Sequence, residues 1–136
     1  MDAAQRRRII ERAQNRCEYC HLSQVHQPVV PFHIEHIIAR QHGGNDSIDN
    51  LALACHRCNL QKGPNLASLD PETRELTRLF HPRDDRWPDH FVISEGRIVG
   101  KTPIGRTTAE LLLMNTPERV QLRLLLIAAK LWDERG

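Results

Sequence analysis

Four cysteines and one acid–histidine pair carry most of the chemistry to be expected of this chain. The cysteines fall in two C-x-x-C pairs, Cys17-Glu-Tyr-Cys20 and Cys55-His-Arg-Cys58. A C-x-x-C turn presents two thiolates to one point, so two such turns close a tetrahedral four-sulfur zinc site with sulfur at about 2.3 Å. Two disulfides would need an oxidising compartment, and a thioredoxin-like redox motif needs only one of the pairs. Structural zinc on Cys17, Cys20, Cys55 and Cys58 is therefore the expectation. With every position filled by protein, such an ion has no room for a substrate and holds the chain together instead.

Between and just beyond these pairs lie Glu35, His36, Asn50 and Asn59. Cleaving a phosphodiester needs a nucleophilic water, a base to deprotonate it, and a cation to stabilise charge on the leaving oxygen. A histidine with an unperturbed pKa near ~6.5 suits the base, and His36 is placed to be it. One carboxylate and one carboxamide oxygen, from Glu35 and Asn59, suit Mg2+ or another divalent cation. Asn50, at the end of the loop "RQHGGNDSIDN", is the natural clasp for it, and Gly43 with Gly44 allows its turns. Singly, each residue has a plainer reading: His36 as a partly buried histidine, Asn59 as a helix cap. Inside the cysteine frame they read together as one site. His33 shares a strand face with Glu35 and reads as supporting or exposed rather than ligating; His42 reads as solvated. Arg57, Lys62 and His56 flank the site and are candidates to contact a nucleic-acid backbone, with plain surface roles as the alternative.

Positioning these groups requires particular elements. Residues 4–16 read as a polar helix with Ile9, Ile10 and Ala13 on one side. Its arginines, Arg6, Arg7, Arg8, Arg12 and Arg16, form a solvated face or touch phosphate. "FHIEHIIA" suits a strand, and alternation along it would point Glu35 and His36 apart unless the strand ends or twists there. "LALA" is a second strand, and "HRCNLQK" a short helix stopped by Gly63 and Pro64. Further on, Asp70 and Pro71 predict a helix through Phe80, and "FVISEGRIVGKT" a hairpin turning at Glu95-Gly96. Thr107 and Glu110 predict a capping box for a helix through Met114, and Thr116-Pro117 opens a last helix. In that last helix Leu122, Leu125, Leu126 and Ile127 are expected to pack the core, with a dimer contact as the alternative. His81, Arg83, Arg86, His90 and Arg106 are expected in salt-bridged structure with Asp84, Asp85 and Asp89 rather than as a phosphate-binding rim.

"IEHI", "DNLALAC" and "CNLQKG", framed by the two C-x-x-C pairs, resemble the HNH family of nucleases over Cys17 to Gly63. The resemblance implies an α+β fold: a zinc-stabilised ββα-metal (His-Me finger) core over residues 1–66, with a helix–hairpin–helix extension packed on it over residues 67–136. That extension is similar to one found in some short bacterial HNH proteins. The resemblance also implies an endonuclease acting on DNA, taken as double-stranded. It makes His36 the general base, Glu35 and Asn59 ligands of the catalytic divalent cation, and Asn50 the residue that fixes the loop. Many members have Asp where this chain has Glu35.

Bulk composition sets outer limits. Aromatic content of 4% in 136 residues disfavours a large aromatic core, so a structural metal would help stability. A net charge of +2 permits nucleic-acid binding without demanding it. "MDAAQRRRIIERAQ" shows no secretory pattern, and "LLLIAAKLW" is broken by Lys130 and too short to span a bilayer. A cytoplasmic protein with no membrane partner is expected, as monomer or homodimer. The rival reading is a non-catalytic zinc-ribbon module that binds nucleic acid. Such a module needs the cysteines but has no reason to place Glu35, His36 and Asn59 at these separations.

Overall fold

The computed structural model describes residues 2–133, which form two compact units. The first runs through Asn65 and takes in His81–Arg83; the second comprises Leu66–Phe80 and the chain from Asp84 onward.

In the first unit, α1 (Ala3–Arg12) opens at Asp2. Its carboxylate accepts from the Gln5 amide at 2.8 Å while Gln5 Oε1 takes the Asp2 amide at 3.4 Å, a reciprocal cap. The helix stops at Arg12 rather than Arg16, because Gln14 (φ 55) and Asn15 (φ 57) turn left-handed and cannot continue it. Ile9 is wholly buried. Two of the arginines expected to face solvent tie the helix to backbone carbonyls instead. Arg6 donates to Phe32 O at 3.2 Å, and Arg12 to Ile48 O at 3.0 Å and Leu51 O at 2.5 Å. Strands β1 (His33–His36) and β2 (Leu51–Ala54) pair antiparallel, with His33 opposite Ala54 and His36 opposite Leu51. All of β2 is buried. α2 (His56–Lys62) follows directly, and its N-cap is a cysteine: Cys55 Sγ accepts from the Cys58 amide at 3.4 Å. Strand, loop, strand, helix is the order that the sequence pattern predicts.

The second unit departs from expectation at its start. No helix forms over 71–80; β3 (Ala67–Leu69) and β4 (Leu76–Arg78) pair antiparallel around a turn. Asp70 does cap, but it caps that turn. Its Oδ1 accepts from the Glu72 amide at 3.0 Å and its Oδ2 from the Thr73 hydroxyl at 3.2 Å, and Arg74 (φ 65) turns the chain back. Arg106, distant in sequence, grips both oxygens at 3.1 and 2.8 Å. A local helix signal thus loses to a long-range partner. α3 (Trp87–His90) leads into the hairpin of β5 (Phe91–Ser94) and β6 (Arg97–Gly100), which turns at Glu95-Gly96 as predicted.

α4 (Pro103–Leu111) begins earlier than its predicted capping box. Thr102 accepts the Gly105 amide at 3.1 Å and Pro103 sits at the first helical position, which leaves Thr107 buried mid-helix. α5 (Pro117–Ala128) starts where Thr116-Pro117 predicts. Leu126 packs inward, but Leu125 is 64% exposed, and the buried long side chains of this helix include Arg119 and Arg123. Of the cations expected in salt bridges, Arg106 pairs with Asp70, and His90 lies 3.9 Å from Asp85. Arg83, part of the first unit, pairs with Glu18 rather than with a neighbouring aspartate. Among the described residues, no helix is long and apolar enough to cross a membrane.

Candidate metal centre and histidine site

The four cysteine sulfurs are buried and lie within 4.8 Å of one another. Cys20 Sγ and Cys55 Sγ are 3.8 Å apart, which matches the separation of about 3.8 Å for two thiolates held tetrahedrally at about 2.3 Å. None of the four is joined in a disulfide. In each C-x-x-C turn the second cysteine's amide points at the first sulfur, at 3.5 Å for Cys20 and Cys17 and 3.4 Å for Cys58 and Cys55. Burial, joined by hydrogen bonds from its three neighbours, pushes the Cys17 thiol well above its ordinary pKa. Four buried thiols gathered at one point are positioned to bind a metal ion once deprotonated. The first turn is fastened to β2: the Glu18 amide donates to Leu53 O at 2.8 Å and Glu18 Oε2 accepts from the Leu53 amide at 2.8 Å. Nothing in the sequence marked Glu18 for this task.

The pairing of β1 with β2 runs regularly through Glu35 opposite Ala52 and His36 opposite Leu51, so these two side chains leave opposite faces of the strand. Glu35 goes inward. Tyr19 donates its hydroxyl to Oε1, and Lys62 Nζ stands 3.3 Å from Oε2 while donating to Ile37 O at 3.0 Å. Burial raises the Glu35 carboxyl pKa, with Lys62 and then Tyr19 pulling the other way. Lys62 is therefore not at a phosphate-binding surface; only 2% of it is exposed. An unpaired buried carboxylate is costly, and this amine answers it. Both Glu35 oxygens, expected to face a cation, are engaged by protein.

At the other end of the same seam, His33 Nε2 lies 3.2 Å from His56 Nδ1. Asn59 follows one turn after His56 on the same helix face, half-buried, and its carboxamide has no hydrogen-bond partner among the described residues. Arg57 likewise has no side-chain partner among them.

His36 faces the loop. Its Nε2 lies 2.8 Å from Asp46 Oδ1, an oxygen that also accepts from Arg40 Nε at 3.2 Å and Nη2 at 3.0 Å. The His36 hydrogen bond, followed by those of Arg40, holds the Asp46 carboxyl below its usual range. A carboxylate only accepts, so Nε2 carries the proton and the Nδ1 lone pair is left as a base. Asn50 clasps the loop that presents Asp46: its Oδ1 accepts from the Ile38 amide at 2.9 Å, and its Nδ2 donates to Ile38 O at 2.9 Å and Asn45 O at 2.8 Å. Gly43 (φ +87) supplies a left-handed turn, and a Cβ on Gly44 would lie 1.7 Å from Ile38 O. In the sequence Asp46 sits among turn-forming residues and reads as one of them.

The structure thus joins His36 to Asp46, Glu35 to Lys62 and Tyr19, and His33 to His56. Along β1, Glu35 and His36 leave opposite faces of the strand. Among the described residues, the four cysteines are the only group of three or more Cys, His, Asp or Glu side chains set to hold a metal.

Residues 17–65 match the family model described as HNH endonuclease. The chain is 25% identical over 124 residues to the Septu protein PtuB of Bacillus thuringiensis, covering 90% of this chain and 45% of that protein. It therefore spans less than half the length of that relative. No solved structure matches it. With a four-cysteine metal site whose two cysteine pairs both lie inside the matched segment, and the β1–loop–β2–α2 order between and after them, residues 17–65 of this chain are an HNH endonuclease-family domain.

Proposed function

We propose that the chain is a metal-dependent endonuclease that hydrolyses phosphodiester bonds in double-stranded DNA, with His36 as general base. The observation that carries this reading is the His36–Asp46 pair, held by the Asn50 clasp inside the family-matched segment. Nδ1 of His36 takes the proton of the attacking water, and Asp46 keeps the tautomer and steadies the imidazolium that forms. Asn50 acts on the loop, not on the substrate. A divalent cation, when bound, supplies charge stabilisation at the phosphate and the leaving oxygen. Of the two oxygen donors that the resemblance names for it, Asn59 is open, whereas the Glu35 oxygens already meet Tyr19 and Lys62.

Zinc on the four cysteines is structural, and the protein works in the cytoplasm, where thiols stay reduced and open to metal. Arg57 and His56 at the start of α2 are the remaining candidates for backbone phosphates. The likeness to PtuB extends over 90% of the chain, which supports counting the second unit as part of the working protein.

Plasmid nicking tests the reading. In Mg2+ or Mn2+ the parent converts supercoiled DNA to open circles, and His36→Ala with full zinc content loses about 10²–10⁴-fold in rate. A zinc-loaded His36→Ala that nicks as fast as the parent refutes the assignment. If neither protein cuts but both retard DNA on a gel, the non-catalytic binding module takes its place.

A further inference from the structure

We propose that His33 and His56 form a second metal site, separate from the cysteine cluster, that binds a divalent transition ion between β1 and α2. Their facing nitrogens, Nε2 of the strand histidine and Nδ1 of the helix histidine, are 3.2 Å apart. Two imidazole nitrogens each at about 2.0–2.1 Å from one ion are separated by about 2.9 Å at a right angle and about 3.4 Å at the tetrahedral angle. The observed spacing falls between these limits, so an ion can enter with little movement of either element. The rings are tilted by 37° with centroids 5.4 Å apart, and meet through their nitrogens rather than by stacking.

The surroundings favour nitrogen ligation over oxygen. Glu35, two positions along the same strand face, is engaged by Tyr19 and Lys62. Neither histidine has another side-chain hydrogen-bond partner among the described residues. His56 is exposed and His33 half-buried, so the remaining coordination positions open to water. Two imidazoles with open positions select Co2+, Ni2+ or Zn2+ over Mg2+, which prefers oxygen donors and retains its waters. A bound ion would strap β1, which carries His36, to α2, which carries Asn59. The site stands independently of the nuclease reading, because its test reads binding rather than cleavage.

The test uses the whole chain, free of any polyhistidine tag, loaded with zinc and cleared of excess. Calorimetric titration with Ni2+ should show one ion bound per chain with the zinc retained, undisturbed by a large excess of Mg2+. His33→Ala and His56→Gln, each retaining zinc, should each weaken binding by ~10-fold or more, since even residues that only support a ligand cost that much. His42→Ala should leave it unchanged. In the parent, without any substitution, Ni2+ should broaden the ring resonances of His33 and His56 ahead of the other histidines. The proposal is overturned by no nickel uptake, by nickel that enters only as zinc leaves, by parental affinity in both variants, by displacement with Mg2+, or by broadening centred on other histidines.

Discussion

In the first unit the buried groups that demand partners include four thiols and the Glu35–Lys62 pair; in the second they include Asp70, Arg119 and Arg123. The first unit answers with a site for a metal and with one short-range ion pair. The second answers with arginines reaching to carbonyls. Arg119 donates to Leu112 O at 2.9 Å and Leu113 O at 3.1 Å, and Arg123 to Gly96 O at 2.6 Å, Met114 O at 2.5 Å and Asn115 Oδ1 at 2.9 Å. Several of these carbonyls lie just past the end of α4, where a helix leaves its acceptors without partners. A guanidinium with five donors on a long stem can close such an end from a neighbouring helix. One unit thus gathers its buried thiols where an ion can bind, and the other relies on hydrogen bonds spread over two side chains and on one carboxylate.

The chain's single tyrosine, Tyr19, reports the first unit, and both tryptophans, Trp87 and Trp132, report the second. Metal removal should give the largest separation between the two signals. Structural zinc in small domains is worth ~10–16 kcal/mol, so a strong chelator, or Cys55→Ser, should unfold the first unit. The Tyr19 absorbance should then shift at chelator concentrations that leave tryptophan fluorescence native. Coincident loss of both signals would break the contrast.

Next in size is Arg123→Met. It leaves the Gly96 and Met114 carbonyls without their Arg123 donor, at ~1–3 kcal/mol for each orphaned group, so urea unfolding followed by tryptophan fluorescence should show a loss of ~2–6 kcal/mol. A loss below ~1 kcal/mol would mean that these carbonyls find other partners.

Acid should sharpen the contrast further. Arg106 holds the Asp70 carboxyl down to about 2. Its pairing therefore stabilises the fold above the ordinary carboxylate pKa of ~3.9 and is lost as pH falls toward 2. Glu35 has the opposite sign: burial raises its pKa, so its contribution is full at low pH and declines as pH rises through the folded value. Asp70→Asn should flatten the acid limb of the tryptophan-monitored stability curve between about pH 4 and 2. An unchanged limb would shift responsibility to another carboxylate.

The smallest effect should come from Asp46→Asn. Asp46 is 70% exposed, and exposed ion pairs contribute little, so plasmid nicking should slow only ~2–5-fold. A parental rate would remove Asp46 from the mechanism.

Several features were legible without coordinates because their causes are local. C-x-x-C spacing brings two sulfurs to one point through a single turn, and both pairs do converge. Asn50 at the end of a glycine-containing loop bonds the backbone that it closes, and Thr116-Pro117 opens α5. Where the sequence misled, a distant residue had the deciding role. Asp70-Pro71 has every local mark of a helix start, yet Arg106 and the β3–β4 pairing turn the same aspartate into the clasp of a hairpin. Arg119 and Arg123 are buried because the end of α4 meets them.

The amino-acid order alone determined the converging cysteines and the strand–loop–strand–helix that joins them. Only the tertiary structure decided that Lys62 turns inward to Glu35, that Asp46 is the carboxylate against His36, and that His33 meets His56. Spacing along a chain sets which side chains can share a turn or a face. Which charges lose water, and which partner then answers them, depends on surfaces that meet only when the chain has folded.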